Sequence, residues 1–260
     1  MDPMLELKSL YKCFGKGTAD QHVALNHLNL SLKPGDFVTV LGTNGAGKST
    51  LFQAIGGSFL LDEGKIFLDG EDITYVPEHK RSQKIGRLFQ NPLKGTAPSL
   101  TIEENLALAY SKQKKAALAF ALTAKDRDYF RHRLESFHMD LENRMKTQVG
   151  LLSGGQRQAV TLLMSTLVPP KLLLLDEHTA ALDPSSARKV MDITNSIISQ
   201  HQITALMITH NIKQALETGN RTIMLDNGSV LFDMDCSTRK GLTAAQLEEM
   251  YSNARETRKG

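Results

Sequence analysis

The sequence predicts an α/β protein with a mostly parallel central sheet, flanking antiparallel strands and a helical subdomain. Three observations lead there. An apolar run, Phe37 to Leu41, reads as a buried strand and passes through Gly42-Thr43-Asn44-Gly45-Ala46-Gly47-Lys48-Ser49-Thr50 into a helix opening near Lys48. From Pro170 onward, strand-length apolar runs alternate with helical segments, the pattern of parallel strands joined by crossovers. Between these parts, residues 91–165 read as almost purely helical.

The elements follow in order. Leu5 to Tyr11 alternates apolar and polar positions and reads as an edge-type strand; residues 12–22 form a turn-rich connection. Val23 to Leu32 alternates again through Leu25, Leu28, Leu30 and Leu32, and Pro34-Gly35 turns the chain into the strand before the glycine-rich loop. Gly56-Gly57 closes the helix after that loop, Gly64 to Leu68 is a short strand, and Asp69-Gly70 signals a hairpin. Ile85 to Phe89 is a strand ending at Gln90. Thr101 and Glu104 have the spacing of a capping box, with helical composition running to about His138 and a solvated charged face at Arg127 to Arg133. Arg157 to Leu167 is a helical run. Lys171 to Leu175, Ile203 to Ile208 and Arg221 to Leu225 read as strands, Ser185 to His201 and Ile212 to Glu217 as helices, and Asp226-Asn227-Gly228 as a hairpin turn. Thr243 to Arg255 closes as a helix with a box-like Thr243 and Gln246.

The loop chemistry is specific. GxxxxGKS between a strand and a helix is the P-loop NTPase arrangement: the glycines let backbone N–H groups converge on an anion, and the helix N-terminus adds roughly half a positive charge. Lys48 supplies a cation for the β- and γ-phosphates, Ser49 a hydroxyl ligand for Mg²⁺, and Thr50 a donor toward the α-phosphate. A plain Gly-rich turn would not need that strand and helix around it, so the segment implies binding of a nucleoside triphosphate.

Composition narrows the class. The 260 residues are 41% hydrophobic and 23% charged with a formal net charge of +3, ordinary for a globular chain. The basic residues are interleaved with acids, which argues against nucleic acid; the densest basic run is Lys112 to Lys115. Two cysteines without repeated spacing give no metal cluster or disulfide framework and fit a reducing compartment. Met1 to Glu6 lacks the order of a signal peptide, and no apolar run is long enough to span a bilayer.

Further candidates cluster at strand ends. Lys171 to Leu175 is followed by Asp176 and Glu177: Asp176 suits the Mg²⁺ shell, and Glu177, pointing the other way along the strand, suits a water that attacks the γ-phosphate. Alone, two acids are equally a solvated strand end; beside a P-loop they read as a site. His210 follows the next strand, where it is placed to meet a γ-phosphate or to be a satisfied structural histidine. Gln90 ends a strand on the same edge, its amide within reach of metal shell and water. Leu152-Ser153-Gly154-Gly155-Gln156 before a helix builds a second anion-binding N-terminus. One nucleotide does not need two in one subunit, which points to a head-to-tail homodimer in which each such segment covers the nucleotide held by the other subunit's loop.

Taken together, Gly42 to Thr50, Gln90, LSGGQ at 152–156, LLLLDE at 172–177, AALD at 180–183 and His210 resemble, in this order over nearly the whole chain, the ATP-binding cassette ATPases, in particular the nucleotide-binding subunits of bacterial importers. The resemblance implies a single cassette over 1–260, with a core lobe at 1–90 and 166–235, a helical lobe at 91–165 and a C-terminal helical tail at 236–260. It implies ATP and Mg²⁺, hydrolysis to ADP and phosphate, Phe14 stacked on adenine (bottom-up, more often a core or edge aromatic), and Asp183 crossing the dimer. It also implies a permease docked near Gln90, an extracytoplasmic solute-binding protein as indirect partner, and a peripheral place on the cytoplasmic face of the inner membrane. His178 departs from the family's usual proline, residues 110–130 exceed its compact pattern, and no appended regulatory domain is expected. DEHTAALDP resembles an importer group associated with amino acids such as tryptophan or tyrosine. The rival readings are a soluble cassette ATPase serving iron–sulfur assembly and an ATP-sensing regulatory subunit with little turnover.

Overall fold

The computed structural model describes residues 2–111 and 122–257; the basic run at 112–115 and the middle of the 110–130 stretch lie outside them. The strand from Phe37 to Gly42 is β3, and its residues Val38, Val40 and Leu41 are buried because neighbouring strands and layers cover both of its faces. With β6 (Ile85–Leu88), β7 (Leu172–Asp176), β8 (Thr204–Ile208), β9 (Arg221–Asp226) and β10 (Ser229–Asp235) it forms a six-stranded sheet in the order β10-β9-β3-β8-β7-β6. All neighbours are parallel except β10, which returns antiparallel along β9 through the Asn227-Gly228 turn. Val40 faces Ile208 on one side and Ile223 on the other, and Asp176 pairs with Ile208, so the C-terminal ends of β3, β7 and β8 lie level.

A second, antiparallel sheet has the order β2-β1-β4-β5, from β1 (Leu5–Phe14), β2 (His22–Leu32), β4 (Glu63–Leu68) and β5 (Glu71–Asp72). The alternation of Leu5 to Tyr11 predicts an edge strand, but β1 lies inside this sheet, paired with β2 on one side and β4 on the other. Alternation reports a half-buried face and is silent on how many sides are paired. The Asp69-Gly70 hairpin forms as predicted, both residues at positive φ.

Two apolar layers sandwich the central sheet. On one face, Leu5, Leu7, Leu25 and Leu32 of the antiparallel sheet meet Val38, Val40, Leu172 and Leu174 around α1 (Lys48–Gly56). The short α2 (Glu78–Arg81) precedes β6 on that side. On the other face, Leu173, Leu175 and Met207 pack against α3 (Ile102–Tyr110), α4 (Ala124–Glu135), α5 (Gly154–Thr166) and α6 (Pro184–His201). Thr101 with Glu104, Thr123 with Asp126 and Ser153 with Gln156 form reciprocal capping boxes that start α3, α4 and α5. A smaller cluster joins α7 (Ile212–Glu217), β9 and β10 to the final helix; α8 (Cys236–Arg239) links β10 to α9 (Ala244–Thr257). Thr243 and Gln246 exchange bonds at the start of α9 as their spacing predicts.

Three pieces have no signal in the sequence: β5, α2 and α8 are each of two or four residues, too short to show a period. Arg81 explains why α2 is held. Its buried guanidinium donates to the carbonyls of Ala54 and Ile55 at the end of α1 and to those of Thr74 and Val76, satisfying carbonyls a helix end leaves open.

Candidate functional site

The glycine-rich loop is fixed by close backbone approach. Gly47 has φ 99°, and a Cβ there would sit 2.5 Å from the Ala24 carbonyl oxygen; one on Gly42 would sit 2.6 Å from that of Leu225. The loop is thus pressed between β2 and β9. Whereas α3 to α7 each begin with a side-chain cap, α1 begins at Gly47 with none, leaving the N–H groups of its first turn turned outward. Lys48 opens that turn, only 6% exposed, its ammonium donating to the carbonyls of Gly42 at 2.8 Å and Thr43 at 3.0 Å. Burial pulls its pKa down, opposed by the charges of Glu177 and Asp176.

Those carboxylates sit where β7 ends. The sequence pattern places Glu177 on the strand opposite to Asp176, but the strand stops at Asp176 and Glu177 turns to φ 46°, its N–H bonded to Ile208 O at 3.2 Å. A left-handed non-glycine residue costs roughly 1–3 kcal/mol and persists only where its surroundings fix it. The turn carries the Glu177 carboxylate to His210: Oε1 lies 2.5 Å from Nε2, while Oε2 accepts from the Gln90 amide at 3.4 Å. Asp176 is half-buried. Burial raises its pKa, Arg87 opposes this, and the adjacent Glu177 raises it further.

A cleft of about 260 Å³ is lined by Phe14, His22, Ala24, residues 44–50, Glu177 and His210. Phe14, 41% exposed, stands at its mouth, edge-on to Phe59 at 5.4 Å between ring centres, with the Lys12 ammonium over both rings. His22 and Ala24 were not visible as site residues; they arrive because the β1–β2 hairpin pairs His22 with Phe14. The donors near the cleft are hard oxygens, the Ser49 hydroxyl, the Asp176 carboxylate and the Gln90 amide. Among the described residues no group of three or more His, Cys, Asp or Glu side chains can hold a metal by itself. That set fits Mg²⁺, which characteristically takes one or two carboxylates and completes its shell with phosphate and water.

Ser153, Gly154, Gly155 and Gln156 lie away from this cleft, as does Asp183. Gln156 accepts from the Ser153 N–H and from Arg144, both at 3.3 Å, and donates to Met139 O at 3.2 Å. Asp183 caps α6, accepting from Ser185 Oγ at 2.6 Å and from the Ser186 N–H at 3.0 Å, bonds that hold its carboxyl well below the usual carboxylate range. A Cβ on Gly155 would lie 2.8 Å from Ser186 Cβ, so the starts of α5 and α6 are brought against each other and both present exposed ends.

His178 is buried behind the site, with Nε2 3.3 Å from Thr194 Oγ1 on α6 and no part in the cleft lining. Burial pushes its pKa down to about 4 from 6.5. Between those values the unfolded chain binds a proton that the folded chain refuses, so stability is lost as pH falls through this window, by about 3 kcal/mol at its lower end. Thermal midpoints measured from about pH 7 to about pH 4.5 should fall less steeply for His178→Gln than for the unchanged chain; parallel curves would mean that His178 titrates normally.

A second cavity, about 290 Å³, opens between β6 and α5 and is lined by Arg87, Phe89, Gly95, Ala109, Met164 and Ser165 among others.

Comparison with known proteins follows the same lines. Residues 25–180 match the family model described as ABC transporter. The chain is 42% identical over 251 residues to a tyrosine transport ATP-binding protein of Clostridioides difficile, covering 96% of this chain and 100% of that protein. It is 34% identical over 235 residues to a spermidine/putrescine import ATP-binding protein of Haemophilus influenzae, covering 89% of this chain and 58% of that protein. Among solved structures, an ATP-binding cassette captured as a post-hydrolysis dimer with ADP and Pi aligns with TM-score 0.75 and 30% identity over 90% of this chain and 99% of that one. A cassette of Clostridium perfringens, part of the ABC transporter complex cbiONQ, aligns with TM-score 0.78 and 25% identity over 95% and 93%.

Proposed function

This chain belongs to the ABC transporter family as an ATPase that works on ATP with Mg²⁺, and from that premise we propose that it powers import of a small solute, an amino acid such as tyrosine. The observation that carries the hydrolytic part is the Glu177 carboxylate, turned out of its strand and held between His210 and Gln90 at the edge of the Lys48 cleft. In this reading Lys48 leaves the carbonyls of Gly42 and Thr43 for the β- and γ-phosphates, and the N–H groups of residues 44–50 cradle them. Phe14 stacks on the base. Ser49, Asp176 and Gln90 would hold Mg²⁺, which when bound supplies positive charge to the phosphate oxygens. Glu177 accepts a proton from, or orients, the attacking water, and His210 bonds the γ-phosphate.

The exposed start of α5 supports an active homodimer in which Ser153 of the partner subunit, with the glycines after it, closes the cleft. Asp183 would set the position of the opposing site. Residues 1–90 and 166–235 then act as the ATP-binding lobe, 91–165 as the helical lobe and 236–260 as a tail. No helix among the described residues is long and apolar enough to cross a membrane. We assign the 290 Å³ cavity beside Phe89 to a permease segment, which would hold the subunit on the cytoplasmic face of the membrane, with a solute-binding protein as indirect partner. Affinity isolation of the tagged chain from detergent-solubilised native membranes tests this. A polytopic permease should co-isolate, and its loss from cells should abolish tyrosine uptake; recovery only with cytosolic iron–sulfur assembly proteins would overturn the transport reading.

A further inference from the structure

The final helix reaches the phosphate-binding loop. Leu247, fully buried, fixes α9 in a cluster with Leu41, Ala215, Met224 and Met234. One turn further on, Tyr251 extends its phenol between two groups far away in sequence. It donates to Asp226 Oδ1 at 3.0 Å, and it lies 3.3 Å from Thr43 Oγ1. With its proton committed to the carboxylate, the phenol oxygen accepts from the Thr43 hydroxyl, giving a relay that runs Thr43, Tyr251, Asp226.

Thr43 is not a neutral place for such a contact. Its carbonyl accepts from the Lys48 ammonium at 3.0 Å and from the Ala46 N–H at 3.1 Å, so its position sets both the lysine and the turn that follows. Asp226 is anchored too: buried at the end of β9, it also accepts from the Asn227 amide at 3.0 Å. The hairpin after it donates Gly228 N–H to Ala46 O at 3.1 Å. The loop is therefore backed from beneath by the β9–β10 turn and pinned from outside by α9.

We propose that Tyr251 is a positioning residue for ATP, acting through Thr43 to hold the phosphate loop in its binding shape, so that docking of the C-terminal helix sets nucleotide affinity. This rests on the nucleotide reading of residues 42–50. Holding the loop before the nucleotide arrives removes an ordering cost from binding, and the chemical step, governed at the other wall of the cleft, is left untouched. Tyr251 is not among the residues that line the cleft.

Tyr251→Phe keeps the ring and helix packing and removes the hydroxyl. Titration of the full-length chain with a ribose-labelled fluorescent ATP should show a Kd raised about 3- to 10-fold, the value of one hydrogen bond, with KM for ATP raised in step and kcat within about 2-fold. In a Thr43→Val background, where the relay is already cut, Tyr251→Phe should add no further loss. An unchanged Kd for Tyr251→Phe, or losses that simply add in the double variant, would overturn the relay while leaving ATP binding intact. Failure of the unsubstituted chain to bind the labelled ATP would instead remove the nucleotide reading, and the relay with it.

Discussion

Glu177→Gln is expected to lower ATP turnover by roughly two to four orders of magnitude while ATP still binds. The carboxylate is held at both oxygens, by His210 at 2.5 Å and by Gln90 at 3.4 Å, on a backbone turned to φ 46°. A residue held in that way has one orientation available, and the glutamine amide has the same size and shape. What the substitution removes is the negative charge and the basic lone pair, which is the part that a water must lose its proton to. The phosphate loop, on the other wall, keeps Lys48 and its N–H groups, so affinity should change little. With ATP bound and not consumed, the two-subunit form should persist on size-exclusion chromatography in ATP. Phosphate release within about tenfold of the unsubstituted rate would move the role of base to another group.

The parts of this site legible in the sequence are those whose chemistry is local. Gly42 to Thr50 announces its loop because glycine, lysine and hydroxyl must stand at fixed offsets between a strand and a helix. Thr101 with Glu104 and Ser153 with Gln156 announce helix starts for the same reason. Contacts made across the fold are not so readable. The interior place of β1 depends on β4, more than fifty residues further along the chain. The turn at Glu177 follows from the Ile208 carbonyl of the neighbouring strand, and no propensity of glutamate foretells it. His178 is conspicuous as a departure from the family, but only the packing reveals that it is buried against Thr194. Tyr251 meets Thr43 across 208 residues, a pairing that no spacing rule reaches. Conversely, Asp183 and Gln156 stand in motifs whose resemblance implies a role across a dimer, and only the fold reveals that their side chains also serve their own subunit, as a helix cap and a loop tie.

Lys48→Ala should separate binding from chemistry in the opposite sense, weakening ATP binding by roughly 10- to 100-fold, the worth of a charge-assisted hydrogen bond. Lys48 is mostly buried, and its ammonium rests on two carbonyls of its own loop, Gly42 and Thr43. Burial that pulls its pKa down marks a cation incompletely compensated by these neutral acceptors, so an anionic phosphate is a better partner than the one it has. Alanine takes one donor from each of two loop carbonyls, and that of Thr43 keeps the Ala46 N–H at 3.1 Å, so the thermal midpoint should move little and the loss can be read as one of affinity. Calorimetric titration with ATP and Mg²⁺ checks it, and undiminished affinity would place the phosphates elsewhere. The two variants thus divide the cleft by its walls. Loss of Lys48 acts before the nucleotide is held, loss of Glu177 acts after, and a chain in which both substitutions impaired binding alike would mean that Glu177 serves the loop and not the water.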